Sequence, residues 1–192
     1  MIIYSIIPAA GKSKRMGGNK YLLPINNKSM IKAVVDNLLD ANLKNIYMVI
    51  SKNSDICSEV KDYNIKILIN DLENSEMADS LRVALKHIKM NDNDGVLIVP
   101  ADMPFIKINT FQLLIDHFIS NNEMIIIPTY KERKGHPVIF PSMIIYDLFN
   151  ENTLRDVIKK YSAKVHYINV NDKGVLVDID TKEDYSNSQK YL

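Results

Sequence analysis

Cysteine is nearly absent from this 192-residue sequence: Cys57 stands alone, so no intramolecular disulfide and no Cys-x-x-Cys zinc knuckle can form. Excess charge is missing too. Lys and Arg number 24 against 23 Asp and Glu, and no block of one sign stands out, which excludes broad electrostatic binding to nucleic acid or to an acidic membrane. Nor is there a long apolar run. Met1–Ile7 has no basic lead and no small-residue cleavage site, is far too short to cross a bilayer, and reads as a buried strand. No repeat, linker or low-complexity stretch interrupts the chain. These absences leave one compact domain over residues 1–192, placed in a reducing cytosol, with neither nucleic acid nor membrane as partner.

What is present is a rhythm of short Ile- and Val-rich runs alternating with amphipathic stretches. Strands are predicted at Ile2–Ile7, Asn45–Ile50, Ile65–Ile69, Gly95–Val99 and Met124–Pro128, each apolar nearly throughout, as strands covered on both faces are. Between them, helices are predicted from the Ser29 cap to about Ala41, over Met77–Met90 and over Thr110–Ser120. Strand–helix–strand repetition with short connections implies right-handed crossovers. The predicted fold is therefore α/β: a single-domain, doubly wound, mostly parallel sheet. After residue 128 the rhythm changes. A small projecting β-hairpin region is predicted around Tyr130–Phe140, then a short helix near Thr153–Tyr161, strands near Val165–Val170 and Val175–Ile179, and a terminal helix.

In such sheets ligands collect at the carboxyl ends of the strands. The first strand runs into Pro8-Ala9-Ala10-Gly11-Lys12-Ser13-Lys14-Arg15-Met16-Gly17-Gly18-Asn19-Lys20. Small residues at 9–11 let the backbone approach a ligand and aim its amides at phosphate, and four cations fall within nine positions. The alternative is a glycine-containing surface turn with solvated lysines. Two known phosphate loops are excluded: a Walker A loop ending at Gly11-Lys12-Ser13 needs glycine at position 6, where Ile6 stands, and no Gly-x-Gly-x-x-Gly occurs.

Two acidic segments follow later strands. Asp102, in Val99-Pro100-Ala101-Asp102-Met103-Pro104, is placed to bind Mg²⁺ through one oxygen, or else caps the loop before the helix at Thr110. In Val177-Asp178-Ile179-Asp180-Thr181-Lys182-Glu183, strand alternation would put Asp178 and Asp180 on one side. Asp180 also reads as a helix N-cap with Glu183 three positions on.

Taken together, Ala-Ala-Gly-x-Ser-x-Arg-Met-Gly-x-x-Lys at 9–20, the following Leu22-Leu23-Pro24, the Asp-x-Pro loop at 102 and the Asp-Ile-Asp-Thr segment at 178 resemble the MobA-like nucleotidyltransferases. Within that family the chain is closer to the molybdenum cofactor cytidylyltransferases. The resemblance implies a Rossmann-like nucleotidyltransferase that moves CMP from CTP to the terminal phosphate of molybdopterin and releases pyrophosphate, with Mg²⁺ as cofactor and transient contact with a molybdenum hydroxylase. It assigns nucleotide binding to Ala9, Ala10, Gly11, Ser13, Arg15, Lys20 and Ser80. Arg15 and Lys20 then offset charge on the leaving pyrophosphate, while Asp102 and Asp180, with Asp178, hold the metal. Gly135-His136-Pro137 resembles the family's Gly-His-Pro segment, which points His136 at the acceptor; a turn histidine is the alternative. Arg155, in Thr153-Leu154-Arg155-Asp156, reaches the acceptor or lies on a solvated helix face.

The sequence departs from the family pattern at Glu76, where glycine is usual, and at Asn150-Glu151-Asn152, where Gly-Asp is usual. Two other functions stay open: the same transfer onto a sugar or polyol phosphate, and a non-catalytic accessory protein that delivers the cofactor.

Overall fold

The computed structural model describes residues 1–11, 16, 18–52 and 54–191. In chain order its regular elements are β1 (Ile3–Ala9), β2 (Pro24–Ile25), β3 (Lys28–Ser29), α1 (Met30–Asp40), β4 (Asn45–Ser51), α2 (Ile56–Glu59), β5 (Lys66–Asn70), α3 (Met77–His87) and β6 (Gly95–Ile98). There follow α4 (Ile108–Ser120), β7 (Ile125–Tyr130), β8 (Arg133–Lys134), β9 (Val138–Pro141), α5 (Ser142–Ile145), α6 (Leu154–Lys160), β10 (Val165–Asn169) and α7 (Lys182–Ser188). The main sheet runs β10-β7-β9-β6-β1-β4-β5, with β8 added on β7. Pairings of β1 with β4 and β6, of β4 with β5 and of β7 with β10 are parallel, and β9 is antiparallel to both neighbours.

The continuous apolar runs are explained by the two cores they feed. Along β1, Ile7 and Ala9 enter one core with Met30, Val34 and Leu38 of α1 and Phe111, Leu114 and Phe118 of α4. Tyr4 and Ile6 point the opposite way, to Leu81, Ala84 and Leu85 of α3 and Val157 of α6. The same split recurs in β4, with Met48 and Ile50 on one face and Tyr47 and Val49 on the other. A strand buried on both sides cannot alternate with polar residues, so it reads as an unbroken run. The chain passes from β1 to β4 and β5 on one side, then returns to β6 on the other. The carboxyl ends of β1 and β6 thus flank the switch point at which open α/β sheets form their ligand crevice.

Several expected boundaries move, each for a local reason. Helix α4 begins at Ile108 rather than Thr110, because the buried Asp172 carboxylate accepts from Lys107 N (2.8 Å) and Thr110 Oγ1 (2.7 Å). Strand β7 runs two residues past Pro128, into a tight turn on Lys131 and Glu132, both with positive φ (48° and 65°). That is the mirror-image geometry that closes a two-residue hairpin. Helix α3 stops at His87, where Ile88 turns extended.

One expected element is absent. Val175–Ile179 is not a strand: Lys173–Leu176 is a 3₁₀ turn fixed by Gly174 N donating to Asp172 Oδ1 at 2.8 Å. The segment then crosses the strand ends, with Val175 O accepting from His136 N (2.9 Å) and Ile179 N donating to Asp102 O (3.0 Å). Its hydrogen bonds tie loops together rather than extend the sheet. Among the described residues no helix is long and apolar enough to cross a membrane.

Candidate active site

Three residues far apart in sequence converge beyond the ends of β1 and β6. The buried Lys20 ammonium donates to Asp102 Oδ2 at 2.6 Å and to Asp180 Oδ1 at 2.7 Å. Lys20 opens a 3₁₀ turn, Lys20–Leu22, capped by Asn19 Oδ1 accepting from Tyr21 N (3.3 Å). Asp102 follows β6 in a loop held by Asn37 Nδ2 donating to Pro104 O (2.9 Å). Asp180 stands just before α7, whose first turn is closed by Thr181 and Asp184: Thr181 N and Oγ1 donate to Asp184 Oδ2 at 2.8 and 2.7 Å, and Asp184 N returns to Thr181 Oγ1. The capping pair is therefore Thr181–Asp184, not Asp180–Glu183, and Asp180 is left to meet Lys20. The loop before α4 is held by Asp172, which accepts from Lys107 N and Thr110 Oγ1, while the Asp102 side chain turns to Lys20.

Burial acts to discharge Lys20, but the Asp102 charge and the bonds to Asp102 and Asp180 outweigh it and hold its pKa above the ordinary lysine value. Burial, then the same two carboxylates, also push the Tyr21 phenol strongly up, so it stays a neutral donor.

Two clefts open on this side of the sheet, and Asp102 of the triad lines the narrow one. A narrow one of about 100 Å³ is lined by Ala10, Gly11, Tyr21, Ser80, Pro100 and Asp102, with Glu76 and Met77 at its edge. Ala9 ends β1 in the core, and the Ser80 hydroxyl accepts from Asn70 Nδ2 at 3.4 Å. Glu76 and Met77 also line a larger cleft of about 630 Å³, so the two share part of a wall. Its walls are Ile127, Val138, Phe140, Leu154 and Ile158, with Lys134, His136 and Arg155 as the cations or potential cations around them.

Glu76, where the family has glycine, sits at the N-cap of α3, and its N–H donates to Asp79 Oδ2 (2.9 Å). His136 is held through its backbone by Val175, and its Nδ1 is buried with no hydrogen-bond partner among the described residues. Burial lowers its pKa, against the opposing charges of Asp102 and Asp178. Gly135 is required beside it, since a Cβ there would meet Val175 O at 2.3 Å.

Not every expected residue joins the site. Asp178 is exposed and lines a separate cleft of about 390 Å³ with Tyr130, Arg133 and Lys173, because no strand forms to align it with Asp180. Ser13 and Arg15 lie outside the described residues. Sequence reasoning missed Tyr21, Asp172 and Arg82. The Arg82 guanidinium pairs with Asp79 (2.9 Å) and donates to the carbonyls of Leu148 (3.0 Å), Glu151 (2.7 Å) and Asn152 (3.2 Å). It thereby fixes the turn before α6, where the sequence departs from the family pattern. No motif marks Arg82; the only signal was a cation on the α3 face that also carries Asp79.

Comparison with known proteins identifies the family. Residues 5–165 match the MobA-like NTP transferase domain. The bifunctional protein GlmU of Staphylococcus epidermidis is 28% identical over 127 residues, 65% of this chain but 28% of that protein, so the chain spans little more than a quarter of this relative. A protein named "Probable molybdenum cofactor guanylyltransferase" from Thermococcus sibiricus is 25% identical over 134 residues, covering 69% of this chain and 65% of its own. The crystal structure of Rv0371c from Mycobacterium tuberculosis superposes with a TM-score of 0.81 at 25% identity, covering 97% of this chain and 96% of that one. Its manganese complex superposes at 0.76 with 22% identity over the whole of both chains. The chain belongs to the MobA-like NTP transferase domain family.

Proposed function

We propose that the protein transfers a nucleoside monophosphate from an NTP to a phosphorylated acceptor, with release of pyrophosphate. The observation that carries this reading is the convergence of Lys20, Asp102 and Asp180 beside a narrow cleft, lined by Asp102, that shares Glu76 and Met77 with a wide one. The narrow cleft takes the base and ribose, against Ala10, Gly11 and Ser80. The wide one takes the acceptor, with His136 and Arg155 at its phosphate. An acceptor phosphate oxygen attacks the α-phosphorus while the bond to the β-phosphate oxygen breaks, so no protein nucleophile is needed. Lys20, with Arg15, offsets the charge that grows on the departing pyrophosphate; a preplaced cation in a site sheltered from water contributes more there than in solvent.

The donor set fits a hard divalent cation. Asp102 and Asp180 offer carboxylate oxygens whose side chains keep 20% and 30% of their exposure, and among the described residues no third His, Cys, Asp or Glu joins them. Mg²⁺ habitually takes one or two carboxylates and completes its shell with substrate phosphates and water. Asp102 and Asp180 would hold it, and it would supply positive charge to the triphosphate.

CTP and molybdopterin are the substrates this reading favours. The wide cleft is walled mainly by apolar side chains, which suits a fused-ring acceptor better than a polyol phosphate that needs many hydrogen bonds. The Thermococcus relative's name supports a molybdenum cofactor acceptor, while naming guanylyl rather than cytidylyl transfer. The small cross-section of the other cleft supports a pyrimidine. Pyrophosphate release screened over four NTPs, with and without molybdopterin or sugar phosphates, tests the whole reading. Turnover with molybdopterin alone is expected; no turnover with any pair would leave only a cofactor-delivery role.

A further inference from the structure

We propose that the cleft between the β7–β8 hairpin and the carboxyl-terminal segment is a second binding site, for a small polyanion of the pyrophosphate or phosphate-ester class. This cleft, about 390 Å³, shares no lining residue with the narrow cleft beside Asp102 or with the wide one. Four cations surround it: Lys131 and Arg133 from the hairpin, Lys173 and Lys190 from the other wall. Among the described residues none of the four has a carboxylate within ion-pair distance.

Rings stand where carboxylates would be expected. Lys173 and Lys190 lie 5.4 and 5.7 Å from the centre of the Tyr191 ring, and Lys131 lies 5.7 Å from that of Tyr130. A ring quadrupole holds an ammonium in place without cancelling its charge. Two carboxylates, Asp178 and Asp184, stand against these four cations, so the lining keeps an excess of positive charge, and Asp184 is directed toward the first turn of α7 by its bonds from Thr181. The cleft is thus positive, and its size falls within the range of small-ligand sites, at about 300–1,000 Å³.

Its position also couples it to the proposed reaction. Strand β8 has only two residues and divides them: Arg133 faces this cleft, and Lys134 faces the wide cleft with His136. On the opposite wall Leu176 and Asp178 face this cleft, and Asp180, two residues on, binds Lys20. A ligand that draws Arg133 and Lys173 together therefore braces both the hairpin that carries His136 and the segment that carries Asp180. By linkage, acceptor binding must then tighten anion binding to the same degree.

The test uses the full chain, without divalent metal, titrated with inorganic pyrophosphate and separately with inorganic phosphate and CMP. Calorimetry gives stoichiometry, and NMR of the Arg133 side chain and the Tyr130 and Tyr191 rings gives location. Two sites for pyrophosphate are expected. Replacing Arg133 and Lys173 together by Ser should weaken the second by about tenfold or more, as loss of charge-assisted bonds does, while a Lys20→Met chain keeps it. CMP binding there without pyrophosphate binding would restrict the ligand to phosphate esters, and the reverse to inorganic polyanions; either supports a polyanion site. A single pyrophosphate site lost in Lys20→Met, or resonances at 130, 133 and 191 that do not move with any of the three anions, would overturn the proposal. Neither outcome depends on turnover, so nucleotidyl transfer stands or falls separately.

Discussion

Lys20 Nζ lies 2.6 Å from Asp102 Oδ2, across 82 positions of sequence, and the same ammonium reaches Asp180 at 2.7 Å. One cation thus spans the gap between the loop after β1, the loop after β6 and the entry to α7. Removing it should cost both stability and rate. Removing one partner of an enclosed ion pair costs about 3–5 kcal/mol, and the water that reaches the two carboxylates brings this to on the order of 2 kcal/mol. Lys20→Met should therefore lower the melting temperature, and adding Asp180→Asn should restore part of it. Because the folded pKa is raised above 10.5, the stabilisation is complete below that pH and is lost as pH climbs through the folded value. A Lys20→Met chain as stable as the parent at pH 7 would show that the ion pair contributes nothing.

Asp102→Asn keeps a side-chain oxygen for Lys20 and removes the charge. Its melting temperature should fall by less than that of Lys20→Met, while the rate of pyrophosphate release should fall by about a hundredfold or more, the scale set by loss of a preplaced electrostatic group. Binding of Mn²⁺ followed by paramagnetic resonance should weaken in parallel. Near-normal turnover in the variant would remove Asp102 from the proposed metal site.

The half-buried His136 ring, with its Nδ1 enclosed, should titrate below 6.5. Its folded state favours the neutral imidazole, so between the folded pKa and 6.5 the unfolded chain binds more protons and stability falls as pH drops. The Cε1 proton resonance followed from pH 4 to 8 reads the midpoint directly. A midpoint above 6.5 would mean that Asp102 and Asp178 outweigh burial.

The parallel core was legible because strands buried on both faces leave unbroken Ile and Val runs, as in Tyr47-Met48-Val49-Ile50. Asp102 and Lys20 were legible as residues of the right chemistry beyond strand ends, although nothing in their spacing said that they touch. Val175–Ile179 misled because an apolar run reads as strand whatever its backbone bonds to. Here Asp172 Oδ1, three positions before Val175, takes the Gly174 amide and turns the chain. Arg82 was illegible for a related reason: its partners are the carbonyls of Leu148, Glu151 and Asn152, and a backbone acceptor leaves no mark on residue type.

A substitution at Gly135 tests whether the proposed acceptor and nucleotide clefts act separately. Alanine there would place Cβ 2.3 Å from Val175 O, a backbone atom that cannot swing away. The hairpin must shift, at about 1–3 kcal/mol as for other overpacked sites. His136, next in the chain, shifts with it, whereas Ala10, Gly11 and Ser80 lie in the other cleft. Gly135→Ala should raise KM for the acceptor several-fold with KM for the NTP nearly unchanged. Equal rises in both would place His136 in a shared site rather than at the acceptor.

Base selectivity tests the proposed substrate most directly. The narrow cleft, about 100 Å³, is bounded by the backbone at Ala10 and Gly11, the Ser80 hydroxyl and the Tyr21 phenol, which its raised pKa keeps protonated. Small side chains there leave main-chain groups to read the base edge. A base that leaves one such buried group unpaired loses about 1–3 kcal/mol, which is roughly tenfold or more in kcat/KM. CTP should accordingly be preferred to GTP by at least about tenfold with molybdopterin as acceptor. Ser80→Ala should narrow that ratio rather than abolish turnover, since the hydroxyl contributes to choice of base and the Lys20, Asp102 and Asp180 side chains remain in place. Competition with both nucleotides in one reaction measures the ratio without separate KM values. A preference for GTP would overturn the cytidylyl assignment and leave nucleotidyl transfer standing, because the groups proposed to act on the triphosphate are indifferent to the base.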